Sequence, residues 1–174
     1  MDPHALTGPI EQLAAVDGPS EAAGTAVRGA VGDGAFRSAL RGDWMGHALH
    51  PLLTDTVIGT WTSGLLLDLT GGRGGDRLVA AGILAALPTA LTGASDWAEV
   101  EARDPAARRV GAVHALANVG ALGLQMGSLA ARLRGARGRG IALSLVANGL
   151  LGASGYLGGH LSYVQGVGTG PRKP

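Results

Sequence analysis

Hydrophobic positions along this chain gather in four segments, 51–69, 78–95, 110–131 and 141–163, separated by short polar connections. Each segment is close to the roughly 20 residues that a helix needs to cross about 30 Å of hydrocarbon. A helix in a water-soluble bundle keeps one polar face, and none of these segments carries one. The pattern predicts an all-α fold. An integral membrane four-helix bundle is expected over residues 43–168, with a polar N-terminal extension over 1–42 and a short tail over 169–174. The extension is interrupted often by Gly and Ala and holds five of the chain's thirteen acids. A weak amphipathic helix can be drawn over 22–40, with Ala26, Val27, Ala30, Val31 and Phe36 roughly on one side. The whole stretch reads as a loosely ordered segment lying on the membrane surface. His4 reads as a solvated tail residue.

The connections predict an orientation. Residues 70–77 form a short Gly-rich turn, and 97–109 form a longer stretch of mixed charge. Residues 132–140 carry four arginines and no acid. With four spans, the first and third connections share one face, which then holds Arg73, Arg77, Arg132, Arg134, Arg137 and Arg139. The positive-inside rule puts that face in the cytoplasm and both termini outside, a multi-pass arrangement in the plasma membrane. Arg37, Arg41, Arg172 and Lys173 weigh against it.

Composition narrows the chemistry. Charged residues are 16% of the chain, against about 25% in a soluble domain. Mean hydropathy is +0.23, and the 31 glycines suit helices that pack backbone to backbone in lipid. No cysteine is present, so disulfides, thiolate metal sites, iron–sulfur clusters and covalent haem are excluded from this sequence. The net charge of +1, with no basic aromatic patch, argues against a nucleic-acid partner. No basic stretch precedes an apolar run at the start, so no cleavable signal peptide is expected. The lipid bilayer is the expected environment, and a homo-oligomer is a possible assembly.

The polar residues inside the apolar segments form a pattern by depth. His50 and Asp55 stand at the start of span one, Asp96 just past the end of span two, His114 one turn into span three, and His160 near the end of span four. Alternate helices run in opposite directions, so all of them fall at one bilayer face. Ionisable groups in spans are costly and usually face the bundle interior with a partner. His114, Asn118, Ala121 and Gln125 share one helical stripe. Asn148, Gly152, Gly155 and Gly159 form a stripe of small residues on span four that a helix or a flat ligand could approach. Pro88 can kink span two. Trp61 is deep enough to pack inside the bundle.

Each of these residues has a plainer reading as well. His47 can be an interfacial residue bonded to loop backbone, and His50 an ordinary polar residue at a helix start. Asp55 can pair with an arginine or orient a histidine. Ser95 and Asp96 read as a cap for the next helical piece, and Asp68 as interfacial at the opposite face. The Gly-rich pieces follow no strand and are turns, not phosphate loops.

Two kinds of ligand suit the histidine layer. Three or four His with an Asp fit a first-row transition metal, with His50, His114 and His160 as ligands. Histidines from different helices, with small residues between them, fit the axial positions of b-type haem, drawn from His47, His50, His114 and His160. Asp55, Asp96, Asn118 and Gln125 would then be supporting or proton-handling groups. The spacing does not choose between the two. No Ser-His-Asp or HExxH arrangement is present.

Four motifs carry a resemblance. They are Trp-x-Gly-His-x-Leu-His-Pro-Leu-Leu-Thr-Asp-x-x-Ile-Gly-x-Trp (44–61), Leu-Thr-Gly-x-x-Asp-Trp (91–97), Arg-Arg-Val-Gly-x-x-His-Ala-x-x-Asn (108–118) and Gly-Tyr-Leu-Gly-Gly-His-Leu-x-Tyr-x-Gln-Gly-Val-Gly (155–168). Together they resemble the bacterial membrane proteins called domain of unknown function family 2231, in the actinobacterial form often followed by a Rieske iron–sulfur domain. The resemblance covers about 42–168 and implies a four-span module in a redox neighbourhood, with recurrent histidines at His47, His50, His114 and His160. No cysteine is available here for a Rieske cluster. The first expectation is therefore a bundle that binds haem b, or a metal ion, and exchanges electrons with a Rieske-type or other redox partner. The alternative is a non-catalytic scaffold whose His and Asp layer is a buried hydrogen-bond network. A metal-dependent membrane hydrolase is the least favoured reading.

Overall fold

A computed structural model describes residues 6–168, so His4 and the tail at 169–174 lie outside the described residues. Among the described residues there are seven α-helices and no strand. The first three are short: α1 (Gly8–Glu11), α2 (Asp17–Val31) and α3 (Ala35–Arg41). Four long ones follow: α4 (Leu49–Leu69), α5 (Gly75–Trp97), α6 (Pro105–Leu133) and α7 (Arg137–Tyr163). Each contains one expected apolar segment and extends it by a few residues.

Local chemistry sets the ends. Asp104 caps α6: its Oδ1 accepts from the backbone N–H of Ala106 at 2.9 Å and of Ala107 at 3.1 Å. Pro105 opens that helix, where a missing N–H costs nothing. Ser95 and Asp96 therefore do not cap a new piece; they lie within the last turn of α5. Gly42 ends α3 in the left-handed region at φ 74°, and a Cβ there would come within 2.5 Å of the His47 carbonyl oxygen. The α5 helix runs unbroken through Pro88.

Two helices, α5 and α7, are long and apolar enough to cross a membrane. The other two have the length, 21 and 29 residues, but carry more polar groups. These include Asp55 and Asp68 on α4, and Arg108, Arg109, Asn118, Gln125 and Arg132 on α6.

The chain forms two compact units. The first comprises the described residues up to His50, Ala90–Ala115, and those from Gly155 onward. Its core is Ala107, Val110, Leu157, Leu161 and Val167, with Ile10 of α1 packed against it. The described residues from 6 to 42 are largely helical, where a loosely ordered segment was expected. Ala22 to Leu40 is also not one helix, because Gly32 and Gly34 break it into α2 and α3 at φ 62° and 138°.

The second unit comprises Pro51–Thr89 and Leu116–Ser154. Val57, Trp61, Ala121 and Leu151 form its core. Trp61 is 2% exposed and donates Nε1–H to the Val79 carbonyl at 3.3 Å. Its ring fills the place of a side chain at Gly82, where a Cβ would lie 2.2 Å from Nε1.

Candidate functional site

Of the residues expected at one depth, the first unit holds His50, Asp96, His114 and His160, together with His47, while Asp55 falls in the second unit. Each histidine has its own surroundings. His47 is exposed. His50 is half-buried, with Nδ1 3.3 Å from the Thr92 hydroxyl and its ring seated on Gly93. The His114 ring is seated on Gly158, where a Cβ would lie 3.0 Å from Cε1. His160 is buried, and its Nε2 lies 2.7 Å from Glu11 Oε1. A carboxylate can only accept, so Nε2 carries the proton and donates it. Asp96 is buried against Gly168.

Glu11 belongs to a set of charges that tie the N-terminal helices to the rest of the unit. Arg109 donates Nε–H and Nη2–H to the two Asp17 carboxylate oxygens at 2.9 and 2.6 Å, and Nη1–H to the Glu11 carbonyl at 2.8 Å. Arg108 bridges Asp17 at 3.2 Å and Glu21 at 3.1 Å. The hydrogen bonds from Arg109, and next those from Arg108, hold the Asp17 carboxyl down at about 2 against a partial desolvation that opposes them. The same contact raises Arg109. Arg28 pairs with Glu101, which is 1% exposed, and Arg37 and Arg41 both reach Glu99. A Cβ on Gly24 would collide with the Glu101 carboxylate, so the glycine admits the buried acid. The motifs did not single out these pairs. Their one signal was complementary charge: an acid-rich start, and Arg108-Arg109 beside two glutamates.

The second unit holds Asp55, Asn118 and Gln125. Asp55 is exposed on α4, and Asn118 is half-buried on α6. Gln125, about three turns along α6 from His114, is fully buried and accepts from the Ser144 hydroxyl at 2.8 Å. The network continues within the second unit. Ser144 lies 3.2 Å from Ser128, which donates to the Gly140 carbonyl at 2.7 Å and accepts from Arg132 Nε at 3.0 Å. Arg132 pairs with Asp68 at 2.7 Å, and Arg137 with the other Asp68 oxygen at 2.9 Å. Asp68, one residue from the end of α4, has a fully buried side chain. On the glycine stripe of α7, a Cβ on Gly152 or Gly155 would meet nothing within 4 Å among the described residues.

As placed, His160 Nε2 is engaged by Glu11 Oε1, and the rings of His50 and His114 are seated on Gly93 and Gly158. No three of His, Asp and Glu gather into a group that could hold a metal among the described residues.

Two helices of the chain have the length and hydropathy to cross a bilayer. Residues 46–171 match the family described as Predicted membrane protein (DUF2231), and the chain belongs to that family. No curated protein and no solved structure matches it significantly.

Proposed function

We propose that the chain is a four-span, non-catalytic module of the plasma membrane, in which the histidine and acid layer is a hydrogen-bond network holding the N-terminal helices in place. One observation supports four spans above all: polarity is inverted. Gln125, Ser128, Ser144 and Ser154 are fully buried, whereas Leu66, Leu84, Leu116, Val119 and Leu145, taken from all four long helices, are more than half exposed. In water that distribution would waste apolar burial, while in lipid it places each group in its preferred surroundings. With no cysteine in the sequence, single cysteines introduced at Arg134 and at Ala102 make clean probes. Labelling of intact cells is expected at Ala102 and not at Arg134. Equal labelling of both would overturn the arrangement.

The network reading is supported by the Glu11–His160 pair. A second reading, haem b with a redox partner of Rieske type, draws support from His50, His114 and His160 falling within one unit. Oxidised and dithionite-reduced absorption spectra of protein purified with haem supplied separate the two. A featureless spectrum is expected. A Soret band with sharp reduced α and β bands, lost in His50→Ala or His114→Ala, would establish the haem reading.

A further inference from the structure

We propose that the arginine pocket of the second unit binds a phosphate-bearing anion. The pocket, of about 500 Å³, is lined by Arg73, Arg77, Arg132 and Arg137, with Asp76 as its one acid. Asp68, buried and paired to Arg132 and Arg137, offsets one more charge, so four arginines face two aspartates. Among the described residues Arg73 and Arg77 form no ion pair, and both are exposed.

Arg132 supplies the independent sign of a missing ligand. Its side chain is 4% exposed. Nε and Nη2 are bonded to Ser128 and Asp68, but Nη1 is buried with no hydrogen-bond partner. A buried charged donor without an acceptor is costly; Arg132 lines the pocket, and an anion bound there supplies the acceptor that this side chain lacks. The starts of α5 and α7 also open here, through Gly74, Asp76 and Arg137. Their first-turn N–H groups favour an anion. Planar guanidinium forks match phosphate oxygens two at a time. The volume exceeds what a bare ion needs, and Leu133, 76% exposed, lines the same pocket. A lipid headgroup, with its chain against Leu133, and a free phosphate share the recognised chemistry.

The test uses the full chain in mild detergent. Binding is measured for dioctanoyl phosphatidylglycerol, for inorganic phosphate and for zwitterionic dioctanoyl phosphatidylcholine. Phosphatidylglycerol is expected to bind and raise the unfolding midpoint, at least tenfold more weakly in Arg73→Gln/Arg77→Gln, with no such difference for phosphatidylcholine. Both replaced arginines are exposed and unpaired, so the ligand-free midpoint should not move. Phosphate binding as tightly as the lipid would keep the anion site and assign it to the free ion. Absence of binding by both anions would overturn the proposal. So would an equal loss in Arg134→Gln/Arg139→Gln, which removes the same charge outside the pocket.

Discussion

Glu11 Oε1 lies 2.7 Å from His160 Nε2, joining the first helix of the chain to the end of the last. The bond explains why a buried histidine is tolerated near the end of α7, and it makes the order of the N-terminal helices depend on a residue about 150 positions away. Glu11→Ala should therefore speed limited proteolysis within residues 6–42 and lower the unfolding midpoint, as should His160→Ala. The two changes should not add. A double-mutant cycle is expected to give a coupling of about 0.5–3 kcal/mol, as for residues sharing one hydrogen bond. Simple additivity would mean that the contact contributes nothing.

Asp17 makes a prediction about pH. Its folded carboxyl is lowered from 3.8 to about 2, chiefly by Arg109. A depressed acid stabilises the fold fully above its unfolded value and loses that contribution as pH falls through its folded value. Asp17→Asn should be less stable than the natural protein at pH 5–7. The gap should narrow from pH 4 downward and close near pH 2. Unfolding midpoints of the two proteins across that range check it, and a gap independent of pH would contradict the assignment.

The Asp68 pair is buried, so breaking it should be costly. Removing one partner of such a pair leaves an uncompensated charge, at about 3–5 kcal/mol. Asp68→Asn should show a loss of that order in denaturant unfolding, because both Arg132 and Arg137 lose their carboxylate. Replacing both members with apolar residues, Asp68→Leu with Arg132→Met, should recover much of it. A double variant as unstable as the single one would argue against charge burial as the cause.

Glycines divide into seats and open positions. At Gly82 an added Cβ meets the rigid Trp61 ring at 2.2 Å, whereas at Gly152 it meets nothing. Gly82→Ala should destabilise by about 1–3 kcal/mol through overpacking. Gly152→Ala should be neutral or gain up to about 1 kcal/mol from helix propensity. Thermal unfolding of the two single variants in detergent compares them directly.

Sequence alone determined the four long helices, because apolar runs of about twenty residues leave the backbone few other ways to satisfy its hydrogen bonds in lipid. It also placed Trp61 inside. Alternating helix direction put His50, Asp55, Asp96, His114 and His160 at one face and six arginines at the other; the first unit holds the first set without Asp55, and four of the arginines line one pocket. Only the tertiary structure decided what those groups touch. Glu11 reaching His160, Asp17 reaching Arg109, and Gln125 turning to Ser144 are contacts between residues far apart in sequence. They depend on helix rotation and on which glycine leaves room for which side chain. Periodicity assigns a residue to a face of its own helix but says nothing of the face opposite. For that reason the sequence could place Asp68 near the end of its helix but not beside Arg132 and Arg137.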